Sequence, residues 1–517
     1  MSRLKLTADP VPFAALEAQG AFAPVAAAAD RSAREAGFAL LEPELPPVAS
    51  AAPELDRDAL AAVVARENPE LPPPPPEADY VVAGQQAGLL TGPLYTVLKA
   101  AHAIALAAQL SSRHERPILP LFWVASEDHD IDEVRHVTLF GERYAQPYAG
   151  PRERGRRPPV ADVPLAAARE PLLAFLRRTL RETEFTAALL DQIAAADFST
   201  YETAFIDWMR AIFAPWPLHF VTPRALRTLT AVPLARLVER WPQVEQALAA
   251  GAARVAALGW PVPLTDARIF ELAGGARRPL TVSAAGAALS DGTHSLAELA
   301  AAVRAQPERF SPSAALRPVC QDAVIPGAAM LAGPSELAYL WQITPLYAVA
   351  DVRPAPRFPR NSLTLLDPPI ARELAKLGRR PAELFALPAE PAAEERDPPA
   401  LRRIARASRE LLAAIDAAAG EPAPRWWRTS RTAIADNLER ITTGLREAQL
   451  AARGQDRRRV EKILAAALPG GKLQERSSNI FQFLDLHGPD FMRALVEQID
   501  PTDARHRIVT IAVEEDA

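Results

Sequence analysis

Residues 79–130 read DYVVAGQQAGLLTGPLYTVLKAAHAIALAAQLSSRHERPILPLFWVASEDHD. The stretch opens on a β-branched run, Asp79–Ala83, that stops at Gly84, and such residues fit a buried, pleated surface. From Leu94 to about Gln109 the positions Leu94, Leu98, Ala101 and Ala105 recur at three- and four-residue spacing, which predicts a helix. A second apolar run, Ile118–Ala125, predicts another buried strand. Strand, glycine-rich turn, helix and strand in this order make a βαβ unit, hence a parallel sheet.

The pattern extends outward from there. Leu218–Thr222 reads as a strand after a helix containing Tyr201–Ile212. Pro263–Leu264 and Leu280–Val282 are weaker strand candidates in an inserted region at about 255–310. Ala329–Leu331 reads as a strand opening into Gly333-Pro334-Ser335-Glu336, with Ser335 as N-cap of a helix over Glu336–Val349. Upstream, the Ala- and Pro-rich start has weak helical patches at Phe13–Gln19 and Asp56–Arg66, then a stiff Pro72–Pro76 spacer. Downstream, Leu401, Ile404, Leu411 and Ile415, then Ile434, Leu438, Ile441, Leu445 and Ala448, follow a three-four repeat. Joined by a turn at Gly420–Pro424, they predict an antiparallel helical hairpin or coiled coil, with Trp426 and Trp427 anchoring its second helix.

The expected architecture is α/β: a Rossmann-like parallel-sheet core with connecting inserts, plus a C-terminal α-helical coiled-coil domain. Its expected divisions are a divergent N-terminal segment and linker (1–76), the catalytic core (77–368), the coiled coil (369–468) and a C-terminal segment packing back on the core (469–517).

Composition narrows the function. A net charge of −5 over 517 residues leaves no global basic footprint for nucleic acid. No apolar run approaches the roughly 20 residues that cross a bilayer. The opening MSRLKLTADPVPFAALEAQG carries charge and proline where a signal peptide needs an apolar stretch. A cytoplasmic protein without membrane partners is expected. The one cysteine, Cys320, rules out an intrachain disulfide or a cysteine-rich metal site and reads as a buried, inert thiol.

Polar residues gather at the C-terminal ends of the strands, where open α/β sheets bind ligands. Gly84, Gly88 and Gly92 precede a helix whose free N–H groups attract an anion. The spacing is neither GxGxxG nor a P-loop, since Lys99 comes seven residues after Gly92. Gln85, Gln86, Thr91 and Tyr95 add polar contacts there. Ser126, Glu127, Asp128, His129 and Asp130 begin where the second strand stops, with Asp132, Glu133 and His136 beyond. Carboxylates crowded around a histidine suit acid–base work, an ammonium group or a hard metal ion. A third cluster holds Arg317, Gln321, Asp322, Gly333, Glu336 and Tyr339; a fourth holds Arg357, Arg360, Asn361, Ser362 and Thr364. Arginines in a Pro-bounded loop are natural anion binders.

In these blocks the sequence resembles the bacillithiol biosynthesis cysteine-adding enzymes, a family of cysteine ligases. The blocks are VVAGQQAGLLTGPLYTVLKA (81–100), PLFWVASEDHDIDEVRH (120–136), the stretch 310–342, PRFPRNSLTLLD (356–367) and KLQERSSNIF (472–481). The chain departs from the family pattern in its Ala- and Pro-rich start, at Thr222 and Pro223, and in AGPSE (332–336) where GGPGE is usual. The resemblance implies a Rossmann-like core similar to class I synthetases, and a coiled coil able to support a homodimer. It also implies a reaction joining L-cysteine to the amine of glucosaminyl malate.

On that reading Asp128, His129 or Asp130 orients the amine and takes its proton. Gly84, Gly88, Thr91 and Gly92 hold a phosphate or carboxylate, and Arg357 and Arg360 clamp malyl carboxylates or polyphosphate. Gln85, Gln86, Tyr95, Ser126, Glu127, Gln321, Asp322, Gly333, Glu336 and Ser362 complete the expected substrate contacts. Use of ATP or ADP follows from the chemistry alone, because the HxGH-type histidine pair of class I synthetases is absent after the first strand; no metal motif is evident. Two rival readings use the same residues. One is a metal-dependent hydrolase or deacetylase built on Asp128, His129, Asp130 and His136; the other is a non-enzymatic coiled-coil metabolite sensor.

Overall fold

A computed structural model describes residues 3–11, 55–153, 155–257, 264, 267–387, 399–419, 424–498, 500–503 and 505–514. The helical patch expected at Phe13–Gln19 and most of the turn expected at Gly420–Pro424 lie outside them. The strands that frame the site are β1 (Arg3–Pro10), β2 (Asp79–Gln85), β3 (Ile118–Val124), β4 (His219–Val221), β5 (Gly327–Ala332), β6 (Arg357–Pro359), β7 (Ser362–Leu366) and β8 (His506–Glu514). The helices needed below are α1 (Leu94–His114), α2 (Pro334–Gln342), α3 (Pro399–Ala418) and α4 (Arg425–Ala467).

The central sheet has the order β6-β5-β2-β3-β4 and every pairing is parallel. The chain therefore runs outward from β2 through β3 to β4, then returns to β5 on the other side. The order reverses between β2 and β5, and a crevice opens at such a switch point beyond the strands' C-terminal ends. Both faces of β2 are covered, so Asp79–Ala83 is buried throughout, as parallel strands between helices must be. Asp79, buried among apolar neighbours, is held by Arg57 (2.9 Å) and by Arg116. The crossover helix α1 is longer than its periodicity indicated and buries Leu94, Leu98, Ala101 and Leu106.

A second sheet, β1-β8-β7, ties the chain's two ends to the core unit. β1 runs antiparallel to β8, and β8 runs parallel to β7. The N-terminal segment is thus partly woven into the core instead of standing wholly before it. The inserted region contains an antiparallel sheet of Ile269–Ala273, Ala276–Leu280 and Phe310–Pro312. Of its expected strands, Leu280 ends one and Val282 begins another, while Leu264 lies in neither and Pro263 falls outside the described residues.

The single helix expected over Glu336–Val349 is two, α2 and Pro345–Ala350. Pro345 cannot donate to a continuing helix and starts the second. Ser335 is not the N-cap. Pro334 takes the first helical position, Gly333 is the cap, and the Glu336 carboxylate accepts from Gly333 N at 2.8 Å.

Contacts divide the chain into two compact units, Met1–Asp367 with Ala467–Ala517, and Pro368–Ala466. The second holds the helical hairpin, where Arg431 of α4 pairs with Asp416 of α3 at 2.9–3.0 Å. Trp426 is 66% exposed and packs edge-on against Trp427, so it does not anchor α4 in a core. Among the described residues no helix is long and apolar enough to cross a membrane.

Candidate active site

Beside the switch point, at the C-terminal edge of the sheet, β2 approaches β3 closely. A Cβ on Gly84 would lie 2.9 Å from the Trp123 carbonyl oxygen, so only glycine fits without displacing backbone. The pairing continues past the strands, Ala125 N donating to Gln85 O at 2.8 Å. Lys99, from the second turn of α1, reaches beneath the crevice and is 1% exposed. Its Nζ donates to Gly84 O (3.0 Å) and Gln85 Oε1 (3.3 Å) and pairs with Glu336 at 2.7 Å. Burial holds its pKa below the ordinary lysine value, with Glu336 pulling the other way.

Two cavities open here. The smaller, about 140 Å³, is lined by Gly84, Gln85, Gln86, Gln321, Met330 and Glu336. The larger, about 200 Å³, is lined by Glu127, Asp128, His129, Arg227, Phe270 and Arg277. Trp123, Ala125 and Arg317 line both. Arg317 donates to Gln321 Oε1 (2.8 Å) and lies 5.7 Å from the Trp123 ring centroid. Among the described residues no carboxylate stands at ion-pair distance from it, and burial lowers its pKa.

In the larger cavity Glu127 accepts from Arg227 (2.5 and 2.9 Å) and from Ser311 Oγ (2.6 Å). Asp128 accepts from Gln86 Nε2 and from His129 N, each at 2.7 Å. His129 Nδ1 lies 3.1 Å from Arg277 Nη1. Burial first, and the Arg277 charge second, lower the pKa of His129. Burial raises that of Glu133, which also bonds Gln86.

Of the residues expected from sequence, Gly84, Gln85, Gln86, Glu127, Asp128, His129, Gln321 and Glu336 thus come together at the cavities. Tyr95 stands just behind, its hydroxyl accepting from Gln85 Nε2 at 3.1 Å. Asp130 begins the short turn Ile131–Val134 and lines neither cavity. Ser126 is buried and donates to the Glu202 carboxylate.

The phosphate cradle expected around Gly88, Thr91 and Gly92 is closed. Thr91 is buried, Asn479 Nδ2 donates to the Leu90 and Gly92 carbonyls at 2.6 Å, and Leu94 N donates to Ser478 O at 2.8 Å. The N-terminus of α2 is likewise filled, by Glu336. Gly333 serves there as cap.

The clamp expected of Arg357 and Arg360 is also revised. Arg357 pairs with Asp322 at 2.6 Å, both buried, and donates to the Tyr347 hydroxyl. Arg360 pairs with Glu475 at 2.6 Å, both again buried. Ser362 bonds Glu475 (3.1 Å) and His506 (2.8 Å). Charges already matched by buried partners offer little to a ligand, so these residues brace the site from beneath.

Arg277, Phe270 and Arg227 are the site residues that sequence reasoning did not single out. Arg277 meets His129 across 148 residues, and no local spacing signals it. Among the described residues no three His, Cys, Asp or Glu side chains converge to hold a metal ion.

A Rossmann-type parallel sheet with a polar crevice at its switch point, plus a helical hairpin in a second unit, defines a two-part α/β protein. Comparison with known proteins makes the assignment particular. Residues 75–361 match the model described as Bacillithiol biosynthesis BshC, N-terminal Rossmann-like domain, and residues 400–511 its C-terminal coiled-coil domain. The chain belongs to the bacillithiol biosynthesis BshC family. Among its relatives are three proteins named "Putative cysteine ligase BshC". The one from Solibacter usitatus is 31% identical over 83% of this chain and 84% of that one. That from Geobacillus thermodenitrificans is 28% identical over 83% and 84%. That from Shouchella clausii is 34% identical over 59% and 58%.

Proposed function

We propose that this chain is a ligase joining the carboxylate of L-cysteine to the amine of glucosaminyl malate, the amide bond of the last step of bacillithiol biosynthesis. The observation that carries this reading is the wall shared by the two cavities, Trp123, Ala125 and Arg317. Two substrates that must react need adjoining sites, and both of these carry carboxylates. A half-buried guanidinium without a carboxylate partner at ion-pair distance is suited to receive one. The smaller cavity takes cysteine, with its carboxylate toward Arg317. The larger takes the sugar, whose malyl carboxylates face Arg317 at the shared wall.

The amine must lose a proton before it attacks, and Asp128, His129 and Asp130 are the groups proposed to orient it and take that proton. A free carboxylate resists amine attack, so an activated acyl group precedes the bond. Both helix N-termini at the crevice are filled by the protein's own groups, which does not fit a polyphosphate cradle at either. Whether a nucleotide activates cysteine is decided by assay. In the same reading the enzyme is cytoplasmic and a homodimer through the α3–α4 hairpin.

The test supplies the full chain with L-cysteine, glucosaminyl malate and ATP, and follows bacillithiol by mass and the cysteine-dependent release of AMP or ADP. Product formation is expected, and Asp128→Asn should lower kcat by roughly 100-fold or more while leaving the circular dichroism spectrum unchanged. Absence of product, with or without nucleotide, from folded protein that binds neither substrate would sink the reading. Product without AMP or ADP would remove ATP from it.

A further inference from the structure

Arg277 sits on the inserted strand Ala276–Leu280, far in sequence from the SEDHD loop, and is 6% exposed. Each of the three nitrogens of its guanidinium has a partner. Nε donates to Ser311 Oγ (3.2 Å), Nη2 to the Pro312 carbonyl (3.0 Å), and Nη1 lies 3.1 Å from His129 Nδ1. The guanidinium carbon stands 3.7 Å from the Phe270 ring centroid, and the same ring packs against His129 at 5.6 Å. Ser311 Oγ in turn donates a hydrogen bond to Glu127, which pairs with Arg227. The chain Arg227–Glu127–Ser311–Arg277 therefore fixes the guanidinium before it touches the histidine.

The chemistry of that last contact is one-directional. A guanidinium only donates, so His129 Nδ1 must accept, and in the neutral ring the proton then resides on Nε2. Protonating the ring would oppose N–H to N–H and place two positive charges 3.1 Å apart in a buried site. The groups around the ring are Asp128 and Asp130 from its own loop, and Arg157 and Arg277 from elsewhere. The nearer carboxylate, Asp128, has its Oδ1 at 3.7 Å from Nδ1 and already accepts the His129 backbone N–H. Arg277 thus holds the closer position.

We propose that Arg277 is a positioning residue that locks His129 as the neutral, Nε2-protonated tautomer. His129 is then a hydrogen-bond donor to a substrate oxygen, not the base. This inference rests on the ligase reading for its catalytic meaning, and it divides the roles left together there. As the amine nitrogen bonds the activated acyl carbon, its proton goes to Asp128, and the Nε2–H of His129 supports the acyl oxygen as negative charge gathers on it. The C–O bond to the activating phosphoryl or adenylyl group then breaks, that group leaving with its oxygen. A neutral imidazole serves such electrophilic work in a site where an imidazolium would be costly.

The tautomer is measured on the full chain with histidine labelled at its ring nitrogens, by solid-state NMR, subtracting the His129→Gln spectrum to isolate the signal. His129 should remain mostly neutral and Nε2-protonated at about pH 6.5, where an ordinary histidine is half protonated. In Arg277→Met, Asp128 becomes the nearest partner, so Nδ1–H should appear and the ring should titrate nearer the ordinary histidine range. Arg277→Lys, which also only donates, should keep the wild-type tautomer. In turnover, Arg277→Met should lower kcat by roughly tenfold or more with KM little changed, and Arg277→Lys should recover most of the loss. A wild-type ring carrying its proton on Nδ1, or titrating near its ordinary pKa, overturns the proposal even if Arg277→Met fails to fold. A confirmed tautomer with no ligase product would overturn the catalytic role and the ligase reading, and leave the lock itself standing.

Discussion

Glu475 shows what a single residue contributes that its local sequence hides. It lies in KLQERSSNIF, a stretch with no apolar period of helix or strand, yet its carboxylate is fully buried. It accepts from Arg360 (2.6 and 3.1 Å), Ser362 Oγ (3.1 Å) and Leu363 N (3.0 Å), and these bonds with the Arg360 charge hold its pKa below the ordinary value against the effect of burial. Glu475→Gln leaves a buried guanidinium without its counter-charge, a change that costs about 3–5 kcal/mol. Urea unfolding should show that loss as a lower midpoint at unchanged slope; a difference below about 1 kcal/mol would mean that water screens the pair. The motif around Arg360 was readable as basic, but its partner is 115 residues away, beyond any spacing argument.

At the scale of elements, β2, α1 and β3 were legible because each carries its own periodicity over a long enough run. The fate of their ends was not. The glycine turn looks open to an anion in sequence, and it is Ser478 and Asn479 that fill it. Strand β8 carries a strand signal of its own, the β-branched run Ile508, Val509, Thr510 and Ile511. The hairpin carries the element-scale prediction. Leu411 (48%), Ile434 (37%), Ile441 (54%) and Leu445 (39%) stay exposed on helices whose three-four repeat calls for a partner. If a second copy covers them, Ile441→Asp should convert a dimer to a monomer in sedimentation velocity. A wild-type chain that sediments as a monomer at micromolar concentration would refute the dimer.

At the scale of the whole molecule, β1 and β8 close the chain's two ends onto β7, and the histidines buried beside that closure make its stability depend on pH. His102 accepts from Asn361 N at 3.0 Å and bonds Pro501 O at 2.7 Å; burial pushes its pKa down to about 3. His506, bonded to Ser362 and Thr364, is pushed to about 4 by burial. Both are neutral when folded and take a proton near pH 6.5 when unfolded, so acid favours the unfolded chain. Their contribution is complete above about pH 6.5 and is lost as pH falls through about 4 and 3. Differential scanning calorimetry should give a melting temperature that is flat from about pH 8 to pH 7 and declines from about pH 6.5 downward. A flat profile to about pH 5 would contradict this burial.

What the sequence by itself determined is the periodic part: a parallel βαβ start, the polar SEDHD edge after β3, and a helical hairpin, because each is written over neighbouring residues. Only the tertiary structure decided which charges are spoken for. Arg357 and Arg360 carry the same charge as Arg317, but the first two meet Asp322 and Glu475 while Arg317 meets no carboxylate among the described residues. The pairing of buried charges depends on where distant segments cross, and a linear pattern holds no record of that. The same reason hid the contact between Arg277 and His129, which turns a histidine expected to act as base into one placed to donate.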